Sequence, residues 1–392
     1  MKKNFIALAA AFCITASLTA CGDNNNVSEE NSESENLSAT ENMSAEIPSE
    51  ETAEETETPS EEISINESVS ELEYWTEDSQ AAESIREYVD AVCDENGEYY
   101  VPSAERIAVF DVDGTLIRER FPTYFDQCML IHRLLHDDTY EAPEEDREFA
   151  EELEYALLNG EPEPDAPRSS AQMAAESFKG FTVEEYSEYV RDFMSEPVEG
   201  FEGMTYGEGF FKPMVSLIQY LSEHDFKVFI CSGGERIMLR ELIKGTLDEW
   251  IPPYQVIGTT FSLTAPGQGE TADRSYTYTA DDEIILEGNM IFKNLKIGKV
   301  KSIVSEIGCK PVLAFGNSSG DFAMGEYTVQ NGGKAYMLLC DDTERDYGDI
   351  EVAESFAEEC DELGFETISM KDDFATIYGD EVKCAAFAAV QQ

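Results

Sequence analysis

The sequence predicts an α/β fold: an open parallel sheet covered by helices on both faces, carrying a helical insertion and a small β excursion. RIAVFDV, FKVFICS, KPVLAFG and KAYMLLC are near-continuous apolar runs of strand length, the pattern of strands buried on both faces rather than one. Amphipathic helical stretches fill most of the intervals between them. The residues suited to chemistry follow these runs directly, where open α/β sheets form their sites.

The chain opens with MKKNFIALAAAFCITASLTAC, which has a basic start at Lys2 and Lys3, a short apolar core and small residues before Cys21. Residues 1–21 read as a secretory signal, too short and wrongly flanked for a spanning helix. The ending LTAC resembles the lipobox of bacterial lipoproteins, which implies cleavage before Cys21 and a lipid on that cysteine. The expected location is the extracytoplasmic face of the bacterial cell membrane. No later segment is apolar for long enough to span a bilayer, so the lipid is the expected anchor. Residues 22–74 are rich in Glu, Ser, Thr and Asn, and no Lys or Arg occurs between Lys3 and Arg86. Low hydrophobicity with charge of one sign predicts a disordered, self-repelling acidic tether.

Residues 75–117 and 209–392 are expected to form the α/β core. Between VFDVDGTL and FKVFICS lie about 110 residues, too many for one crossover. They contain FPTYFDQCMLIHRLLH, REFAEELEYALL, TVEEYSEYVRDFM and KPMVSLIQYLSEH, all of helical periodicity. The last leads back into the sheet, so residues 118–208 read as a helical cap. A second interruption, GTTFSLTAPGQGETADRSYTYTADDEIILEGNMIF, is rich in Thr, Tyr and Gly and reads as a hairpin or small antiparallel excursion.

Net charge and rare residues exclude several classes. A formal charge of −57 argues against nucleic-acid binding, which depends on clustered Lys and Arg. Of nine cysteines, Cys13 lies in the signal and Cys21 is the lipid site. The odd remainder has no CxxC pair and reads as scattered buried thiols without a disulfide framework. His132 and His136 lack partners at zinc-site spacing and are expected on a helix surface.

The chemistry centres on VFDVDGTLIRE. Asp111 and Asp113 stand at i and i+2 of an apparent strand, so both carboxylates face one space. Like charges held that close raise one another's pKa unless a cation lies between them. A hard oxygen-ligated ion such as Mg²⁺ fits carboxylates without His or Cys. Further on, CSGGE places Ser232 after an apolar run, with Gly233 and a second glycine opening a helix, a geometry that offers a hydroxyl and N–H groups to an anion. KNLKIGKVKS supplies Lys293, Lys296, Lys299 and Lys301, a basic cluster in an acidic chain. AFGNSSGD then brings Asn317 and Asp321 after another buried run.

DVDGT, a Ser after the next strand, a Lys and GNSSGD in that order resemble the four-motif signature of the haloacid dehalogenase-like hydrolase superfamily, over roughly residues 104–370. The resemblance implies a Rossmann-like core and a phosphoaspartate mechanism. Asp111 is then the nucleophile and Asp113 the acid and base. Ser232 binds the phosphoryl oxygens, and a lysine adds positive charge. Mg²⁺ is expected on Asp111, the Asp113 carbonyl and the fourth motif, Asn317 or Asp321. That motif usually begins with Asp; the amide of Asn317 can still ligate but removes one charge. Lys299 has the family's usual offset, whereas NLK aligns Lys296 with phosphoserine-phosphatase-like members; Lys299 is preferred.

The acid at Asp113 argues against a dehalogenase, and the absence of DKTGT argues against a transport ATPase. SGG resembles the phosphoserine phosphatase branch. Glu119, Arg120, Tyr124, Phe125 and Arg236 are candidates to read an amine, a carboxylate or a choline-like head group. The expectation is a Mg²⁺-dependent phosphomonoesterase for a small phosphorylated metabolite such as phosphoserine or phosphocholine. A phosphomutase shares Asp113 and ranks lower. A catalytically silent ligand-binding lipoprotein would predict loss of Asp111 or Asp113, and both are present.

Overall fold

The computed structural model describes residues 71–385; the expected signal peptide, Cys21 and nearly all of the expected tether lie outside them. Residues 71–74, assigned to the expected tether, are among the described residues. Leu72 is buried in the core, and Ser216 donates its hydroxyl to the Glu73 carbonyl at 2.7 Å.

Helix α1 (Gln80–Cys93) is capped by Ser79, whose hydroxyl accepts the Ala82 N–H. Ala82, Ile85, Val89 and Val92 recur at helical spacing and are buried, so one stripe docks on the sheet. Strand β1 (Ile107–Phe110) is buried throughout. It stops before Asp111, so Asp111 and Asp113 occupy the turn after the strand and not the strand itself. The helices α2 (Phe125–Ile131), α3 (Glu144–Asn159), α4 (Ser170–Ser177) and α5 (Val183–Met194) follow. A wider turn, His132–His136, continues α2. Of these, α4 is not among the segments named from the sequence. Thr182 and Glu185 close a reciprocal capping box at the start of α5, satisfying two otherwise unpaired donors.

β2 (Phe201–Glu202) follows, with Phe201 packed on Tyr347 and Tyr378 at 5.4 and 5.5 Å. Then come α6 (Lys212–Glu223), β3 (Lys227–Glu235), α7 (Arg236–Leu242), β4 (Val256–Thr264) and β5 (Ile285–Phe292). The second half of the core follows: α8 (Ile297–Ser302), β6 (Leu313–Gly316), α9 (Phe322–Val329), β7 (Lys334–Leu339), α10 (Ile350–Leu363), β8 (Glu366–Ser369) and β9 (Lys383–Cys384).

Among the described residues, seven strands form one sheet in the order β5-β4-β3-β1-β6-β7-β8. All neighbours are parallel except β4 and β5. This is the predicted α/β, Rossmann-like architecture. Chain order reverses beside β1, which makes its carboxyl end the switch point where such sheets bind ligands. The second interruption is the antiparallel pair, although its first strand, β4, is also a full member of the sheet. β2 and β9 form a separate two-stranded ribbon.

The two excursions are tied together. Leu286 donates its N–H to the Phe181 carbonyl at 2.8 Å, Gly180 donates to the Leu286 carbonyl at 2.8 Å, and Met290 donates to the Gln172 side chain at 3.0 Å. The helical insertion therefore leans on β5. Inside it, the buried Arg133 guanidinium lies over the rings of Tyr140, Phe178, Phe181 and Tyr189, 4.4–5.5 Å from their centroids. It also pairs with Asp137 and donates to the Ser177 carbonyl.

Cys128, Cys231 and Cys360 are buried free thiols, but Cys309 is exposed. No helix among the described residues is long and apolar enough to cross a membrane.

Candidate active site

A cavity of about 220 Å³ opens at the carboxyl end of β1, lined by residues from every motif the sequence singled out. β1 delivers Asp111, whose N–H donates to the Phe315 carbonyl of β6 at 2.9 Å. Lys299 on α8 is 1% exposed. Its ammonium donates to Asp111 Oδ1 at 2.6 Å and to Asp321 Oδ1. Burial alone would lower the Lys299 pKa, but the carboxylates of Asp111 and Asp321 outweigh it and hold the group charged. Lys296 instead lies exposed just before α8. The sequence left two lysines open; the structure puts Lys299 on Asp111.

Asp321 organises the loop after β6. Its Oδ2 accepts the N–H groups of Asn317 and Ser318 at 3.1 and 3.2 Å and the Ser318 hydroxyl at 3.3 Å. Gly114, with φ of +71°, closes the turn after Asp113, and a Cβ there would collide with Asn317 Nδ2 and Glu119 Oε2. Only glycine meets both demands. Asn317 donates its amide to Glu119 at 2.6 Å and accepts the Thr115 hydroxyl at 3.3 Å. An aspartate at 317 would set two carboxylates at that separation, which gives the amide in this motif a local reason.

The acidic groups of the cleft are strained electrostatically. Burial, then the Asp321 charge, pushes the Asp111 carboxyl up to about 6, against the pull of Lys299. Burial, then Asp126 and Asp111, pushes Asp113 up to about 7. Asp113 Oδ1 accepts the Phe125 N–H at 3.2 Å. Burial raises Glu119 to about 8, partly opposed by the Asn317 hydrogen bond.

Residues 108–326 match the haloacid dehalogenase-like hydrolase family. The chain belongs to that family. No curated protein matches it in sequence. Similar solved structures include a conserved protein of unknown function from Anaerococcus prevotii, 13% identical, covering 77% of this chain and 95% of that one with a TM-score of 0.46. A cytosolic 5'-nucleotidase IIIB bound to cytidine is 11% identical, with 74% and 85% covered and a TM-score of 0.43. A phosphoserine phosphohydrolase-like protein from Francisella tularensis is 17% identical, with 60% and 87% covered and a TM-score of 0.33.

In this family member Ser232 also lines the cavity, with its hydroxyl accepting the Gly234 N–H at 3.1 Å. The glycines do not open a helix as expected. β3 runs on to Glu235, whose carboxylate caps α7 by accepting the N–H groups of Ile237 and Met238. The Ser232–Gly233 segment of β3 is held by residues that the sequence reading passed over. Asn294 donates to the Ser232 carbonyl at 2.9 Å, and Thr259 donates to the Gly233 carbonyl at 2.6 Å. Lys293, noted only as one of a basic cluster, donates to the same Gly233 carbonyl at 2.8 Å and lines the cavity. Asp126 lines it too and had been read only as part of a helix. No periodic or motif signal marks a polar residue that serves a distant carbonyl.

Glu119 and Tyr124 reach the cleft. Phe125 contributes only its N–H, since its side chain packs on Phe193 and Tyr206. Arg120 pairs with Asp349 at 3.5 Å. Arg236 is directed to Glu306 at 2.7 Å and does not line the cavity, because it begins α7 one residue beyond the end of β3.

The donor set fits a hard cation. Asp111, Asp113, Glu119, Asp126 and Asp321 line the cleft against two lysines, and burial leaves that negative charge poorly solvated. No three acidic, His or Cys side chains among the described residues converge on one ion position. A cation here would therefore take main-chain and amide oxygens beside carboxylate.

Proposed function

We propose that this family member is a phosphomonoesterase that cleaves a small phosphorylated metabolite through an aspartyl phosphate on Asp111. The single observation that carries the reading is Asp111 held by a buried, charged Lys299 while Asp113, with its carboxyl raised to about 7, lines the same cavity. Mg²⁺ would be held by the Asp111 carboxylate, the Asp113 main-chain carbonyl and the Asn317 amide oxygen, and would neutralise charge on the transferring group.

Asp111 attacks phosphorus in line as the bond to the leaving oxygen breaks. Asp113, protonated over much of the neutral range, gives its proton to that oxygen and releases the alcohol. The Asp113 carboxylate then takes a proton from water as the water attacks phosphorus, which frees phosphate and restores both aspartates. Lys299 keeps Asp111 oriented and places positive charge where negative charge develops on the phosphoryl group. The Ser232 hydroxyl and the main chain at Gly233 receive the phosphoryl oxygens. Asp126 and the Tyr124 ring line the cavity beside Glu119, which favours a substrate with an ammonium group such as phosphoserine or phosphocholine. The LTAC sequence supports a lipid anchor on Cys21 at the outer face of the cell membrane.

The test is release of p-nitrophenol from p-nitrophenyl phosphate, followed by a panel of small phosphomonoesters, with Mg²⁺ or EDTA and beside Asp111→Asn. Activity that requires Mg²⁺ and disappears in the variant supports the reading. Failure on every ester would replace it with a ligand-binding role.

A further inference from the structure

The helical insertion holds a second cavity, of about 210 Å³, that shares no lining residue with the cleft. Ile131, Leu157 and Leu158 form its apolar floor. Three rings make one wall: Phe193 and Tyr206 stack at 4.4 Å, and His132 stands 5.4 Å from Phe193. The His132 ring is fixed by the Tyr189 hydroxyl at 2.8 Å. Glu154, Glu196 and Glu199 line the space with no Lys or Arg; Glu154 is paired with His136 at 2.7 Å, which leaves Glu196 and Glu199 as the exposed carboxylates.

This combination selects by charge and by shape. Ring faces carry negative potential and attract cations, the carboxylates repel anions, and the apolar floor rewards a hydrocarbon body. A metal ion is disfavoured, because no three ligating side chains among the described residues converge there. The volume lies below the roughly 300–1,000 Å³ of sites for drug-sized ligands, so the occupant is small. The Tyr206 ring is stacked on Phe193 and carries the Arg118 guanidinium 4.9 Å from its centroid, so it supports the wall and does not receive the ligand. We propose that this cavity binds a small organic ammonium ion, with its head against the His132 and Phe193 rings and the Glu196 and Glu199 carboxylates. Binding here is independent of the phosphatase reading.

Calorimetric titration of the full-length protein with benzyltrimethylammonium, beside phenylacetate and benzyl alcohol, tests this. Saturable binding at about 1 mM or tighter is expected for the ammonium alone. Replacing Glu196→Gln together with Glu199→Gln should weaken it roughly fivefold, the scale of two solvent-exposed charge attractions. Both glutamates are exposed, so the fold should survive, and a thermal melt checks that. Leu158→Trp, which fills the floor, should abolish binding. The acidic cleft is the rival location. Affinity that is unchanged in the double variant but lost in Asp126→Asn overturns the proposal. So does equal binding of all three compounds, or none.

Discussion

Replacing Lys299 with Met tests the electrostatic argument for the cleft most directly. The ammonium is buried between Asp111 and Asp321 and bonded to both, while Met keeps most of its volume. Removing one partner from a buried ion group leaves uncompensated charge and costs about 3–5 kcal/mol. At roughly 2–4 °C per kcal/mol for a domain of this size, the melting temperature should fall by roughly 6–20 °C at pH 8 with EDTA present. The deficit must depend on pH with a definite sign. Asp111 is already raised from 3.8 to about 6, with Lys299 opposing the rise, so the variant's Asp111 titrates higher still. A carboxyl raised in the native state binds its proton more tightly there than in the unfolded chain. Its contribution is therefore favourable at low pH and is lost as pH rises through the native pKa. The variant should be closest to wild type near pH 5 and furthest from it at pH 8. Differential scanning calorimetry at both pH values measures this. A melting temperature within about 2 °C of wild type at pH 8, or an equal deficit at both pH values, would refute the reasoning.

Other consequences are equally open to measurement. Asp113→Asn should lower kcat by roughly 10²–10⁴-fold on an alkyl phosphate, whose alkoxide needs a proton, and much less on p-nitrophenyl phosphate. In the wild type the alkyl-phosphate rate should decline as pH rises through about 7, where Asp113 loses that proton; a flat profile would remove it as the acid. Arg133→Met should destabilise the helical insertion by roughly 3 kcal/mol, since four rings, Asp137 and Ser177 lose their common partner. Hydrogen exchange should quicken in α2–α5 while β1 and β6 stay protected, and uniform loss of protection would contradict this. Gly114→Ala should cost at least ~1 kcal/mol for its backbone angle alone, and more for the collision with Asn317 and Glu119. An unchanged melting temperature and activity would show that the turn relaxes freely.

The sequence by itself determined the class of fold, the order of the motifs and the family. Strands buried on both faces must be apolar along their length, and a nucleophile beside a second carboxylate, a glycine and a threonine is a local pattern that survives in a linear reading. Asp111, Asp113, Ser232, Asn317 and Asp321 were found that way because each directly follows a buried run. Tertiary structure alone decided which lysine reaches Asp111, since α8 turns Lys299 inward and leaves Lys296 outside. It also sent Arg236 to Glu306, drew Asn294 and Thr259 onto the Ser232–Gly233 segment, and joined the insertion to β5 through Phe181 and Leu286. These outcomes depend on where a helix begins relative to its strand and on carbonyls far away in the chain. Neither leaves a periodic trace, because a single hydrogen bond across 26 or 62 residues constrains one residue and not a pattern.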